Sequence, residues 1–131
     1  MEEGFKLEII SPEKTIFSDN VKMVTLPSYE GNMSILKNHI SIITFLRPGI
    51  INVYKNLENF DEFFVQDGTV EFFNDNLVIL SSSAIIVKNL SKDFLEKLRK
   101  DSEDKLIKTD ITDRDRYILN HKIDTIKGIN L

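Results

Sequence analysis

Two side chains in this sequence have an ordinary pKa suited to proton transfer near neutrality, His39 and His121. They lie in different halves of a 131-residue chain, and neither forms an H-x-x-x-H or H-E-x-x-H pair. The chain has no Cys, which removes thiolate metal sites, cysteine nucleophiles and disulfides. A zinc site or a catalytic triad would have to be assembled from scattered carboxylates. Ser81-Ser82-Ser83 lacks the flanking glycines of a nucleophile elbow and reads as a strand end. Neither common glycine-rich phosphate loop is present. His39 sits inside the apolar stretch GNMSILKNHISIITFLRPG, residues 31–49, where a half-buried or interface imidazole is the better reading. The expectation is a protein that is not itself an enzyme, with no metal and no cofactor.

Composition bounds the partners. The formal charge of −4 and a pI near 5.2 argue against a general grip on nucleic acid, which needs a basic face. The start, MEEGFKLEII, carries acids where a secretory signal would be basic. No apolar run approaches the roughly 20 residues of a membrane span. The reading is a soluble protein kept on the side of the membrane where it is made.

The elements that must position any surface fall into two halves. Up to residue 88 the chain is a series of short β-like runs: FKLEII, KTIF, VKMVTLP, ISIITFL, GIINVYK, DEFFVQ, TVEFFN, NLVILS and AIIVK. Asp19-Asn20, Pro48-Gly49, residues 56–59, Asp67-Gly68 and residues 74–76 supply turn chemistry between them. Asp67-Gly68 predicts a two-residue hairpin with positive φ at both positions, and Pro27 predicts the end of its strand. Such spacing indicates an antiparallel sandwich or flattened barrel. Several runs are apolar on both faces: Phe63 to Val65; Val70, Phe72 and Phe73; and Leu77 to Leu80. Their outer faces need a cover, either the chain's own tail or a partner.

After Asn89 the period becomes helical. Ser91 is placed to cap a helix bearing Phe94, Leu95 and Leu98. Thr112, with Asp113 and Asp115 behind it, starts a second helix with Ile118, Leu119, Ile123 and Ile126 as its apolar stripe. Gly128 is a C-cap candidate. The expected organisation is a β domain over 1–88 and an antiparallel two-helix hairpin over 89–131. The first part holds 7 basic and 12 acidic residues, the second 10 and 9. The hairpin's charge suits two solvated faces, or docking on an acidic partner.

Three segments carry a family likeness. LEIISPEKTIFSDNVKMVTLPSYEGNMSIL, NHISIITFLRPGIINV and FFVQDGTVEFFNDNLVILSSSA occur in order over residues 4–88. Together they resemble the epsilon subunit of the bacterial and chloroplast F-type ATP synthase, the counterpart of mitochondrial delta. The resemblance implies a ten-stranded β-sandwich followed by a helical hairpin, in a central-stalk rotor subunit that binds the gamma subunit and rests on the c ring. It implies coupling of proton translocation to ATP synthesis at the alpha and beta subunits, to which the hairpin can extend and restrain hydrolysis. The implied location is peripheral, on the cytoplasmic face of the bacterial inner membrane. Carried onto this chain, the family's ring-facing E-G loop is Tyr29, Glu30, Gly31 and Asn32, with His39 expected at the same end. The basic residues expected to serve a regulatory hairpin are Lys92, Arg99, Lys105, Arg114, Arg116 and Lys122. Some members bind ATP through an acid and an Arg at the start of the first C-terminal helix. Ser91 and Phe94 stand at those positions here, so no such ATP site is expected. The hairpin has no Ala, so larger side chains, Phe94, Leu98, Ile118 and Ile123, are expected between its helices. The alternative reading is an independent β-sandwich protein-binding module with a helical tail.

Overall fold

The computed structural model describes residues 4–130; the acidic start at Glu2 and Glu3 lies outside them. Ten strands form one hydrogen-bonded sheet that curls over on itself: β1 (Phe5–Ile10), β2 (Thr15–Val21), β3 (Met23–Ser28), β4 (Gly31–Leu36), β5 (Ile42–Leu46), β6 (Gly49–Tyr54), β7 (Phe60–Val65), β8 (Gly68–Phe73), β9 (Asn76–Leu80) and β10 (Ile85–Ile86). A 3-10 turn at Val87–Asn89 leads to α1 (Lys92–Leu106) and α2 (Asp113–Lys127). The spatial order is β10-β7-β6-β3-β5-β8-β9-β1-β2, with β4 paired to β3. Most pairs are antiparallel, while β1 and β9 run parallel.

Period-two alternation explains the core. Phe5, Leu7 and Ile9 of β1 turn inward and meet Val24, Leu26, Ile51, Val53, Val70, Phe72, Leu77 and Ile79, all essentially dry. Phe63 and Val65 join that core, whereas Phe64 points the other way into a second cluster with Leu90, Leu95 and Ile126. The helical tail therefore covers the outer face of β7. The cover does not reach β5, β8 and β9, whose outer faces leave Ile43, Phe45, Phe73 and Leu80 half or more exposed.

Four local expectations are corrected. Asp19 and Asn20 lie within β2, opposite Leu7 and Lys6, and the break comes at Lys22. Pro27 does not end β3; the strand runs on to Ser28. The neighbour of β3 changes from β6 to β5 at this point, so the missing N–H of Pro27 costs no ladder bond, while its carbonyl accepts from the Arg47 N–H at 2.9 Å. Asp67-Gly68 is not a hairpin turn, because β7 pairs with β6 and β10 while β8 pairs with β5 and β9. The two-residue turn with positive φ at both positions is Asn74-Asp75, closed by Phe73 opposite Asn76. Phe94 is exposed rather than packed between the helices. Ser102 is the buried small residue of α1, its hydroxyl satisfied by the Leu98 carbonyl at 2.8 Å.

Both helix starts form as their sequences dictate. The Ser91 hydroxyl accepts from the Phe94 N–H at 3.1 Å. Thr112 and Asp115 build a reciprocal capping box, and Gly128 is the C-cap of α2 with an ordinary negative φ.

Candidate functional site

Tyr29 and Glu30 connect β3 to β4 in a tight turn. The buried Ser28 hydroxyl closes it from within, donating to the Gly31 carbonyl at 2.8 Å and accepting from the Glu30 N–H at 3.1 Å. Gly31 has φ of 123°, a conformation that L side chains rarely adopt, although a Cβ there would touch nothing within 4 Å. Glycine is thus required here by backbone conformation and not by space. The turn rests on the end of β5, where the Tyr29 N–H donates to the Phe45 carbonyl at 3.0 Å. Asn32 is held by Arg47, whose guanidinium donates to the Asn32 Oδ1 at 3.0 Å and to the Pro48 carbonyl at 3.2 Å.

The first turns of α2 land on this loop. The Tyr117 ring stacks on Tyr29 with centroids 5.7 Å apart, and its hydroxyl donates to the Tyr29 carbonyl at 2.9 Å. Arg114, one turn earlier on the same helix face, lies 5.6 Å from the Tyr29 ring centroid. His121, one turn later, meets the edge of Tyr117 at 4.4 Å. Burial lowers the His121 pKa below its ordinary value, and the nearby Arg47 cation lowers it further against the opposing pull of Asp124. A cleft of about 590 Å³ runs beside these groups, lined by Tyr29, Glu30, Phe45, Asp67, Arg114 and Tyr117.

Of the residues expected at the ring-facing end, Tyr29, Glu30, Gly31 and Asn32 come together. His39 does not. Strand β4 separates it from the turn by five strand steps, roughly 17 Å. His39 belongs to the opposite end of the sandwich, edge-on to Phe72 at 5.9 Å, where the neighbouring Asn38 N–H donates to the Asp75 carboxylate at 2.8 Å. The run GNMSIL forms a full strand, β4, between the turn and His39, and this sends the two to opposite ends.

The six basic residues of the hairpin do not form one face. Arg99 is engaged by Glu96 and Glu103 on its own helix, which raises its pKa. Arg114 lies over Tyr29. Lys122 is half-buried, and burial first, then the neighbouring Lys105 charge, lowers its pKa against the attraction of Asp67. Lys92, Lys105 and Arg116 are exposed. Arg47 and Tyr117 were not singled out from sequence. The one available signal is the helical spacing of Arg114, Tyr117 and His121, which puts a cation and two rings on one helix face. Among the described residues no three His, Asp or Glu side chains gather as a metal site.

A curled β-sandwich with a capped helical hairpin folded along one side, an aromatic contact joining the two and apolar rows left open on another face, defines a protein built around surfaces. The family model described as "ATP synthase, Delta/Epsilon chain, beta-sandwich domain" matches residues 4–87. The ATP synthase epsilon chain of Pelagibacter ubique strain HTCC1062 is 44% identical over 131 residues, covering 99% of this chain and all of that protein. The epsilon chain of Sinorhizobium medicae strain WSM419 is 32% identical over 96 residues, 73% of this chain and 72% of that one. In fold, the chain is similar to one in the Euglena gracilis mitochondrial ATP synthase (OSCP/F1/c-ring), with a TM-score of 0.78 at 17% identity over 98% of this chain and 82% of that one. A chain of the Tetrahymena thermophila mitochondrial ATP synthase central stalk and c ring gives 0.65 at 16% identity, covering 93% and 92%. The chain belongs to the ATP synthase delta/epsilon chain family.

Proposed function

We propose that this chain is a non-catalytic central-stalk subunit that links the gamma subunit to the c ring and couples proton translocation to ATP synthesis. The observation that carries this reading is the asymmetry of the sandwich. The hairpin covers the outer face of β7, while Ile43, Phe45, Phe73 and Leu80 stand uncovered on the outer faces of β5, β8 and β9. Register aligns Phe45, Thr69 and Leu80 in one row and Ile43, Glu71 and Val78 in the next, so apolar side chains flank Thr69 and Glu71 of the middle strand on both sides. A face of that kind in a folded chain needs a partner, and the gamma subunit is the partner that family membership suggests.

The loop of Tyr29, Glu30, Gly31 and Asn32 is the proposed contact with the c ring. His39 is left out of that contact, since it lies at the other end. The sandwich over 1–88 is the coupling body and the hairpin over 89–131 a movable brake on ATP hydrolysis that reaches the alpha and beta subunits when extended. The subunit then sits peripherally on the cytoplasmic face of the bacterial membrane. No helix among the described residues is long and apolar enough to cross a membrane.

Reconstitution of the ATP synthase with the full chain, and with a chain ending at Lys88, tests the reading. Both forms are expected to bind the gamma subunit and support synthesis, and the shorter one to raise hydrolysis. Failure of the full chain to bind its own gamma subunit overturns the stalk assignment. Unchanged hydrolysis on truncation overturns the brake alone.

A further inference from the structure

Two of the contacts that hold the hairpin to the sandwich have unequal leverage. The first lies beside the linker, where Leu90, Leu95 and Ile126 pack on Phe64. The second lies toward the far end of the hairpin, where α2 begins and Tyr117 meets Tyr29. Tyr117 and Ile126 are nine residues apart on α2, about 13 Å along its axis. The linker itself has no helical continuity: the 3-10 turn ends at Asn89, and Leu90 is extended, with φ of −78° and ψ of 144°. A swing of the hairpin about Leu90 therefore moves the Tyr117 end furthest and must break its contact.

We propose that Tyr29 and Tyr117 form the latch that keeps the hairpin folded on the sandwich, so that hairpin release and exposure of the Tyr29 ring are one event. The proposal rests on the reading of the hairpin as a movable element. Three features make the contact a latch and not incidental packing. It joins residues 88 positions apart through both a ring stack and a hydrogen bond, so neither part survives separation of the helices from the turn. Its acceptor is a main-chain carbonyl in a turn clamped by Ser28, which cannot follow a departing helix. Arg114 contributes a cation beside the same ring, so one turn of α2 supplies two side chains to Tyr29. The consequence is a shared residue. In the folded state α2 occupies the Tyr29 ring, and a c ring touching this turn meets Glu30 and Asn32 instead. Release frees the part of the Tyr29 ring that Tyr117 and Arg114 cover.

The absence of native cysteines makes the test direct. Spin labels on cysteines introduced at Ser18 and Asp110 report closed and open populations of the full chain as a distance distribution. Tyr117→Ala removes both the stack and the hydrogen bond and is expected to raise the open-to-closed ratio by about ten-fold, whereas Tyr29→Ala removes the stack, keeps the main-chain acceptor and is expected to raise it less. Combining them is expected to add little to Tyr117→Ala alone, because the ring stack is lost in either variant. Tyr117→Phe keeps the ring and is expected to give a smaller rise, which provides a reading should an alanine variant fail to fold. An unchanged ratio in all three, or full additivity of the two alanine variants, overturns the latch. Gamma binding by the wild-type chain is scored separately, since its loss refutes the stalk assignment without altering the population ratio.

Discussion

The Ser28 hydroxyl donates to the Gly31 carbonyl across 2.8 Å and closes the β3–β4 turn from its buried side. The same oxygen accepts from the Glu30 N–H, so one side chain satisfies two main-chain groups. Ser28→Ala leaves both without that partner in a site 3% exposed. The expected cost is about 1–3 kcal/mol of stability, read as a lower midpoint in urea with an unchanged slope. Faster hydrogen exchange at Glu30 should accompany it.

Two glycines near this turn are required for different reasons, and substitution separates them. Gly31→Ala meets no atom within 4 Å and is opposed only by φ of 123°. A cost of about 1–2 kcal/mol is expected from that backbone conformation. Gly49→Ala would put its Cβ 2.5 Å from the Pro27 Cβ, a collision between two buried residues at the start of β6. Gly49→Ala is therefore expected to be the more damaging change, and thermal melts of the two variants decide the order.

Much of this architecture is legible from residue patterns, and the failures share a cause. Alternation in FKLEII and the caps at Ser91 and Thr112 are local signals, and local hydrogen bonds and burial realise them as read. Asp67-Gly68 misleads because turn chemistry says only that the chain changes direction, not which strand it joins next. Pro27 misleads because a missing donor matters only where the ladder needs one, and partner exchange between β6 and β5 removes that need. The loop of residues 29–32 is visible in sequence, but its occupation by Tyr117 depends on how a hairpin 88 positions away settles. His39 misleads in the same way, because nearness in sequence to residues 29–32 does not show that a whole strand, β4, carries it to the other end.

If the hairpin releases as proposed, His121 should make its docking sensitive to acid. Its pKa in the folded state lies below the ordinary value of 6.5, because burial and the Arg47 charge disfavour the imidazolium more than Asp124 favours it. Once the hairpin swings out, the imidazole returns toward its ordinary value. Below about pH 6.5 the released state thus binds more protons than the docked one, so docking weakens as pH falls and is fully present above that value. The open-to-closed ratio should rise between pH 7.5 and 5.5 in the wild-type chain. His121→Gln should flatten that rise, and Arg47→Gln should move the His121 titration upward in an NMR experiment. A pH response that survives His121→Gln assigns the effect to another group.

The exposed rows on β5, β8 and β9 separate binding from folding. Phe45 is 58% exposed and Leu80 50%, with Thr69 between them in register, so their truncation removes little intramolecular packing. Surface substitutions of this kind usually change stability by less than about 0.5 kcal/mol. If the gamma subunit covers this face, the same side chains become buried on assembly, and an aromatic near the centre of an interface typically contributes about 2 kcal/mol or more. Phe45→Ala is then expected to weaken gamma binding about 30-fold with its melting temperature nearly unchanged. Phe64→Ala is the contrasting case. That ring is fully buried beneath Leu90, Leu95 and Ile126, and its loss should cost about 3–5 kcal/mol of stability. Titration calorimetry against the gamma subunit, run beside thermal melts of both variants, tests the separation. Unchanged gamma binding by Phe45→Ala would mean that gamma does not use the β5–β8–β9 face.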